Sequence, residues 1–450
     1  MTRYEVELQP ASGDGEQEAV ETVAPSEDLD LIFRLHQRLL QDMDLEAVEK
    51  LEPERAREAV EAVARSLLNE VAPGVYGEER ELLVQRVVDE ALELGPIEPL
   101  VKDLSISEVM VNAPDEVYYE RDGVIYLSGV RFRDTVHIMR IVDRIISPLG
   151  RRVDETSPYV DARLPDGSRV NVIIPPLVPK SPILTIRKFR PDKYKIEELI
   201  ENGTLSEGVA EFLQACVRLR LNIVISGGSG TGKTTLLNAV SGYIPSSERI
   251  VTIEDPIELK LQQSHVISME ARPPNIEGRN QVAQRDLVRN ALRMRPDRII
   301  VGEVRGSEAF DMMQAMNTGH EGSLTTVHAN STRDALARIE NMVLMAGLDL
   351  PVRAIREQMS SALHLAIQLA RFSDGQRRVT VVSEITGMES EIITMQDLFR
   401  FEQEGVGEDG RILGALEPTG IVPTFAGRFA KSGIPLKWGV PASLQRWGTS

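Results

Sequence analysis

Residues 227–234 constrain the fold of this chain more than any other stretch of its sequence. They read Gly-Gly-Ser-Gly-Thr-Gly-Lys-Thr and lie between an apolar run at 221–225 and a helix-forming run that starts at Thr235. Glycines at this spacing let backbone N–H groups surround phosphate oxygens, and a helix that starts there adds positive potential. The stretch predicts a strand, a phosphate-binding loop and a helix within an α/β fold.

The predicted loop gives roles to its side chains as well as to its backbone. The Lys233 ammonium is expected to reach the β- and γ-phosphates of ATP, and the Thr234 hydroxyl is expected to bind Mg²⁺. ATP is therefore the predicted substrate and Mg²⁺ the predicted cofactor. The residues expected to contact nucleotide are Gly227, Gly228, Ser229, Gly230, Thr231, Gly232, Lys233, Thr234 and Thr235.

The C-terminal part of the chain repeats the order strand, loop, helix. Apolar runs rich in β-branched residues alternate with helical stretches, which is typical of a parallel sheet covered by helices. The runs are 221–225, 250–253, 299–301 and 324–327. Segments 366–369 and 379–385 predict an antiparallel addition, because Asp374-Gly375 between them is a turn signal. We expect residues 205–450 to form a RecA-like P-loop domain with a C-terminal extension.

Four segments are predicted upstream of this domain. Residues 1–27 are expected to be a disordered acidic tail, because they hold few large apolar residues. Residues 28–94 carry apolar residues at helical spacing and predict a helical bundle. Residues 95–190 show strand patterns with hairpin turn signals, and predict a smaller, PAS-like α/β domain. Residues 191–204 are the predicted linker.

Charge and cysteine content narrow the class of protein. The chain has 69 acidic and 51 basic side chains, whereas nucleic-acid-binding proteins usually present a basic surface, so we expect no nucleic-acid partner. No apolar run approaches the ~18 residues that cross a bilayer, and no secretory signal is evident. Cys216 is the single cysteine, which excludes intrachain disulfides and cysteine-based zinc sites. We expect a cytoplasmic protein without direct membrane insertion.

Polar side chains follow three of the predicted strands. Glu258 ends an acidic stretch after the second strand, Glu303 follows the third and His328 follows the fourth. A carboxylate at this edge of a sheet can orient or deprotonate an attacking water, and an imidazole can sense the γ-phosphate. Gly302 stands where many P-loop enzymes have an aspartate linked to Mg²⁺, so the sequence departs from the common helicase and AAA-type patterns.

These four elements, taken in order, resemble the type II/type IV secretion ATPase superfamily. They are the phosphate loop, an aspartate box at 253–258, an atypical second Walker motif with Gly302-Glu303, and a histidine box at 318–330. The resemblance spans about 95–450. Within the superfamily, the chain looks most like the CpaF/TadA-type ATPases of tight-adherence (Flp) pili. The stretches that carry this closer likeness are 94–100, 109–112, 161–171 and 397–433.

The resemblance implies a homohexameric motor that powers pilus assembly through inner-membrane platform proteins, with retraction left open. It also implies that Glu258 is the catalytic carboxylate and that Glu303 acts with Mg²⁺ and the attacking water. Lys233 and His328 complete the predicted catalytic set. Arg163, Arg169 and Arg187 are expected to contact phosphate from the N-terminal domain. Assembly-type relatives often carry a paired CxxC zinc insertion that this chain lacks, which favours the tight-adherence and type IV secretion branches.

Two alternative functions stay open on the sequence. A RecA-like nucleic-acid translocase or helicase would share the loop and the sheet, and DNA-stimulated hydrolysis would support it. The acidic balance, the 4% aromatic content and the Gly302-Glu303 pair weigh against it. A nucleotide-gated scaffold without turnover is the other alternative. Glu258 and Glu303 weigh against the scaffold, and a turnover assay decides.

Overall fold

A computed structural model describes residues 26–43, 51–121, 123–189, 195–274, 279–407 and 410–434. The chain divides into two compact units, Met1–Arg190 and Pro191–Ser450, which are described separately. The predicted acidic tail lies outside the described residues except for its last two positions, Ser26 and Glu27, which begin the first helix.

The first unit opens with three helices that pack through apolar faces. Leu35, Leu39, Val60 and Val87 are each 0% exposed. These residues belong to the stripes that the helical spacing predicted, because residues three and four apart share one face of a helix. The helices described in this part of the chain are α1 (Ser26–Asp42), α2 (Pro53–Val71) and α3 (Gly77–Leu92).

An antiparallel sheet with two helices completes the first unit. The helices are α4 (Glu98–Lys102) and α5 (Thr135–Ile146), with 3₁₀ turns at Gly95–Ile97 and Ser147–Leu149. The strands are β1 (Ile106–Ala113), β2 (Glu116–Arg121), β3 (Val124–Leu127), β4 (Tyr159–Arg163), β5 (Arg169–Ile173) and β6 (Ile183–Arg187). Their order in the sheet is β3-β2-β1-β6-β5-β4. Both predicted hairpins form, β2 with β3 and β4 with β5.

A buried carboxylate ties the three-helix bundle to the sheet. Glu90 of α3 is 3% exposed and accepts a hydrogen bond from Arg140 of α5 at 2.6 Å, while His137 Nε2 lies 3.0 Å from it. Gly95 has φ of +59°, and a Cβ there would be 2.9 Å from Glu90 Oε2. The glycine therefore gives the carboxylate room. The bundle and the α/β layer form one compact unit.

The second unit is built on a nine-stranded sheet. Its strands are β7 (Ile223–Gly227), β8 (Ile250–Glu254), β9 (Val266–Glu270), β10 (Arg298–Val301), β11 (Leu324–His328), β12 (Leu365–Arg371), β13 (Arg377–Glu389), β14 (Ile392–Val406) and β15 (Ile412–Pro418). The order is β15-β14-β13-β12-β7-β11-β10-β8-β9. The six strands from β12 to β9 in this order are parallel, and β13, β14 and β15 are antiparallel additions.

Helices cover both faces of this sheet. Ile223 and Ile225 of β7 lie in one apolar core and Val224 lies in the other, because successive strand residues point to opposite faces. The helices are α6 (Ile196–Glu201), α7 (Glu207–Arg218), α8 (Lys233–Ser241), α9 (Gln284–Ala291), α10 (Glu308–Asn317), α11 (Thr332–Met345), α12 (Val352–Ala362) and α13 (Ala426–Lys431). The predicted α/β class with a parallel sheet is therefore confirmed.

Several elements differ from the sequence-based expectations. The segment predicted as a linker contains α6, whose Ile196 and Leu199 are buried in the core of the second unit. β9 was not predicted, and no strands were predicted in the C-terminal extension, which supplies the 15-residue β14 and the 7-residue β15. None of the helices in the described part of the chain is long and apolar enough to cross a bilayer.

Candidate nucleotide site

Four neighbouring strands of the second unit end beside one another. β8, β10, β11 and β7 are adjacent and parallel, so their carboxyl ends share one edge of the sheet. His328, the last residue of β11, pairs in register with Gly227, the last residue of β7. Parallel pairing thus brings the predicted loop, Glu303 and His328 to one edge, where α/β sheets bind ligands.

The loop after β7 folds around a backbone oxygen. Lys233 Nζ donates a hydrogen bond to the Gly228 carbonyl oxygen at 2.8 Å, and Thr231 Oγ1 donates to the same oxygen at 3.0 Å. Gly230 and Gly232 have φ of +68° and +92°, where a side chain is strained. Lys233 is 7% exposed. The ammonium is therefore held inside the loop, where a phosphate oxygen can replace the carbonyl as its acceptor.

His328 joins the loop to Glu303. Its Nε2 lies 3.4 Å from Lys233 Nζ and 2.8 Å from Glu303 Oε1. Partial burial, and after it the charge of Lys233, lowers the pKa of His328. The imidazole is therefore mainly neutral at pH 7, and its Nε2 can accept a hydrogen bond from Lys233. Glu303 Oε1 lies close to Nε2 but accepts no hydrogen bond of normal geometry among the described residues. Lys233, His328 and Glu303 form one contiguous polar cluster.

The turn after β10 fixes the Glu303 carboxylate. Arg305 Nε donates a hydrogen bond to Glu303 Oε2 at 2.6 Å. Glu308 Oε1 accepts the N–H of Arg305 at 2.6 Å and that of Gly306 at 2.7 Å, which holds the turn. Neither Arg305 nor Glu308 is among the predicted site residues. Their spacing from Glu303, two and five residues, was visible, but only the folded turn shows which atoms meet.

The aspartate box runs beside the helix of the phosphate loop. The Lys260 N–H donates to Asn238 Oδ1 of α8 at 2.9 Å, and Gln263 Nε2 donates to the Ser241 carbonyl oxygen at 2.8 Å. The structure places the half-buried Glu258 two residues before Lys260, in the segment tied to α8. Its backbone N–H donates to Glu254 Oε2 at 2.8 Å.

Comparison with known proteins decides the family. The sequence pattern of the family described as Type II/IV secretion system protein matches residues 90–406. The chain belongs to this family. Membership of the secretion superfamily and the ATPase class, both predicted from the sequence, are thereby confirmed.

Two of the curated proteins with similar sequences show how far the likeness extends. A putative conjugal transfer protein of Mycobacterium tuberculosis (strain ATCC 25618 / H37Rv) is 36% identical over 304 residues, which cover 66% of this chain and 86% of the relative. VirB11 of Bartonella quintana (strain Toulouse) is 32% identical over 332 residues, which cover 64% of this chain and 91% of VirB11. Among solved structures, the pilus retraction motor PilT with bound ADP has a TM-score of 0.47 at 24% identity. The match covers 63% of this chain and 80% of the PilT chain.

The side chains of this secretion ATPase fit a magnesium ion. Thr234 and Glu303, the predicted ligands, offer oxygen donors, which Mg²⁺ prefers. One of these oxygens, Glu303 Oε1, is buried and accepts no hydrogen bond of normal geometry among the described residues. In the described ranges, no three His, Cys, Asp or Glu side chains form a cluster that could hold a metal ion. Mg²⁺ at nucleotide sites is usually bound by one or two protein oxygens and by substrate phosphates.

The three predicted arginines of the first unit lie in one row. Arg163 pairs with Arg169, and Arg169 pairs with Arg187, across β4, β5 and β6. Arg187 pairs in turn with Glu108 of β1, whose other neighbour is Glu120 of β2. Directly opposed residues point to the same face of a sheet, so the row has three positive positions followed by two negative ones.

Replacing Gly227 with alanine should disrupt the phosphate loop. A Cβ at this position would be 2.5 Å from Thr231 Oγ1 and 2.8 Å from the Leu369 carbonyl oxygen, so the loop has to move. We expect ATP affinity to fall by on the order of tenfold or more, because the backbone donors lose their arrangement. Titration with a fluorescent ATP analogue measures this. Gly427→Ala is the control, because a Cβ there meets nothing within 4 Å. Unchanged affinity in Gly227→Ala would contradict the loop geometry.

Proposed function

We propose that this secretion ATPase is the homohexameric, Mg²⁺-dependent motor of a tight-adherence pilus or a related secretion machine at the bacterial inner membrane. The observation that carries the proposal is the contiguous cluster of Lys233, His328 and Glu303 at the end of the parallel strands. In this cluster Lys233 is a cation that can bind phosphate, and Glu303 is a carboxylate that can act on water or metal. The neutral imidazole of His328 lies between them.

In the proposed reaction each side chain has a defined task. Lys233 leaves the Gly228 carbonyl and binds the β- and γ-phosphates. Glu303 helps to orient the attacking water, and Glu258 accepts the proton that this water loses. As the water oxygen bonds to the γ-phosphorus, the bond from that phosphorus to the β-phosphate oxygen breaks, which releases ADP and phosphate. His328 then has Glu303 as its remaining partner, so the presence of the γ-phosphate is relayed from the loop to β10. When bound, Mg²⁺ neutralises phosphate charge, with Thr234 and Glu303 as its protein ligands.

Two observations support the branch of the family that we propose. Cys216 is the single cysteine and is buried, so the chain cannot build the paired CxxC zinc site of many assembly-type relatives. The curated relatives are named as conjugal transfer and type IV secretion proteins, which supports a secretion machine. We place the protein in the cytoplasm, bound peripherally to an inner-membrane platform through protein partners.

Substitutions in the cluster should separate binding from turnover. Lys233→Ala should abolish tight ATP binding, because the phosphates lose their main side-chain counterion. Glu303→Gln and Glu258→Gln should bind ATP and hydrolyse it on the order of 10²-fold more slowly. Fluorescence titration and phosphate release measure the two effects, with Lys431→Ala as a surface control. Wild-type turnover in both glutamine variants would overturn the assignment. DNA-stimulated hydrolysis would favour the translocase alternative.

The arginine row is our candidate for coupling hydrolysis to movement. An arginine supplied by a partner subunit can raise the rate of phosphoryl transfer by about 10³ or more. Arg163, Arg169 and Arg187 lie side by side on strands, so one surface of the first unit carries all three. We propose that they contact the γ-phosphate of a neighbouring subunit when the first unit rotates.

Mixed oligomers test this coupling. Arg163→Ala, Arg169→Ala or Arg187→Ala should cut turnover strongly while nucleotide binding stays measurable. Mixing such a variant with Lys233→Ala should restore part of the activity, because some interfaces then combine an intact arginine row with an intact loop. Arg152→Ala is the control, since its side chain is exposed and pairs only locally with Asp154. Absence of rescue, with subunit exchange verified, would mean that the arginines do not act across an interface.

Location is tested with the full chain in its host. The protein should sediment with membranes only when an inner-membrane platform protein is present, because its own described helices cannot span a bilayer. Crosslinking followed by mass spectrometry identifies that partner. Lys233→Ala should still be recruited if docking does not require ATP. Sedimentation with protein-free lipid vesicles would contradict recruitment through a protein partner.

A further inference from the structure

Glu254 is a buried carboxylate to which the proposed reaction gives no task. It is the last residue of β8 and is 2% exposed. Its Oε2 accepts two backbone hydrogen bonds, from the N–H of Glu258 at 2.8 Å and from that of Leu259 at 2.9 Å. Its Oε1 is buried with no hydrogen-bond partner among the described residues. Burial raises the pKa of this carboxyl.

Stability alone does not explain such a group. Burying a carboxylate costs free energy, and an oxygen without a partner adds to that cost. An apolar side chain at the end of β8 would avoid both costs. In return, the carboxylate fixes the positions of two consecutive backbone amides. They belong to Glu258, which is proposed to act on water, and to Leu259.

Glu254 also occupies the space beside Gly302. A Cβ on Gly302 would be 3.0 Å from Glu254 Cγ and 3.4 Å from Glu254 Oε2. The Gly302 N–H donates to the Ile253 carbonyl oxygen at 2.9 Å, so the ends of β8 and β10 are held together. A side chain at 302 would therefore be in tight contact with Glu254, which would have to shift by a few tenths of an ångström. Glycine at 302 leaves Glu254 in its observed position without this contact.

The segment that carries Glu258 is therefore fixed from two sides. Glu254 holds the N–H groups of Glu258 and Leu259, and Asn238 of α8 holds the N–H of Lys260. The first contact ties the segment to the sheet edge, and the second ties it to the helix of the phosphate loop. With three consecutive amides fixed, the backbone at Glu258 has little freedom relative to the loop.

We propose that Glu254 is a positioning residue for hydrolysis: its carboxylate holds the Glu258 backbone against the phosphate loop, in the space that Gly302 leaves open. This inference rests on the proposed function, in which Glu258 accepts the proton of the attacking water. Glu254 acts through Glu258 and needs an acceptor oxygen at this place, not a negative charge. Glutamine offers that acceptor, and alanine does not.

Steady-state hydrolysis by the full chain tests the proposal. Glu254→Ala should lower kcat by on the order of 10- to 100-fold, because misplacing a reacting group by about 1 Å can cost that much. KM and the affinity for a fluorescent ATP analogue should stay within about threefold, since the phosphate loop is intact. Glu254→Gln should keep kcat within about threefold of the wild type, because its amide oxygen accepts the same N–H groups. Gly302→Ala should lower kcat by less than Glu254→Ala does, because its Cβ forces Glu254 to shift by only a few tenths of an ångström.

Glu384 provides the matched control. It is 1% exposed and also holds a backbone amide, accepting the Thr424 N–H at 3.0 Å, but it lies on β13 outside the proposed catalytic set. Glu384→Ala should lower the unfolding temperature and leave kcat of the folded protein unchanged. Hydrogen exchange adds a readout that does not depend on turnover. The amides of Glu258 and Leu259 should exchange faster in Glu254→Ala and at the wild-type rate in Glu254→Gln.

Each result has a defined meaning. Equal loss of kcat in Glu254→Gln and Glu254→Ala would overturn the proposal, because it would show that the charge itself acts on substrate or metal. Wild-type kcat in Glu254→Ala would overturn it as well, and so would an equal kcat loss in Glu384→Ala. Failure of the wild type to hydrolyse ATP would instead contradict the proposed function. If Glu254→Ala does not fold, Gly302→Ala and the exchange rates in Glu254→Gln still decide.

Discussion

The parallel pairing of β7 with β11 is the interaction on which the candidate site depends. It sets His328 level with Gly227, and β10 on the other side of β11 sets Glu303 beside them. A one-residue slip in this register would turn His328 to the opposite face of the sheet, because strand side chains alternate. The two apolar cores oppose the slip. It would move Val224 into the core that now holds Ile223 and Ile225, and would move those two side chains into the core that now holds Val224. The packing of apolar side chains thus fixes the geometry of the polar ones.

The overall charge of the chain works against its substrate. A net charge of −18 repels a nucleotide polyanion, but charges are screened beyond about 8 Å at physiological ionic strength. At the loop the nearby positive groups are Lys233 and the start of α8, while Arg305 is paired with Glu303. The acidic surface can therefore keep the protein soluble without cancelling attraction at the loop.

The sequence was informative where function depends on local spacing. The phosphate loop, the parallel strands and the hairpins at Gly123 and Gly167 follow from turn residues and apolar periodicity, and the structure has them. β14 was missed because most of its side chains are at least partly exposed, so it lacks an apolar pattern. The contacts of Glu308 with the turn amides and of Glu254 with the Glu258 amide were missed for another reason. They depend on which atoms meet after a turn closes, and composition and spacing do not specify that. The arginine row needed strand register, which a single sequence does not give.

The order of strands has a consequence for synthesis of the chain. Ile223 of β7 pairs with Leu324 of β11 and with Leu365 of β12, both far downstream. A ribosome therefore releases the phosphate loop long before the strands that flank it on either side. Contacts so distant along the chain form slowly, and an unpaired apolar strand is prone to aggregation in the meantime. β7 can be flanked on both sides only after β12 (Leu365–Arg371) has emerged, so the sheet around the phosphate loop is completed late in synthesis.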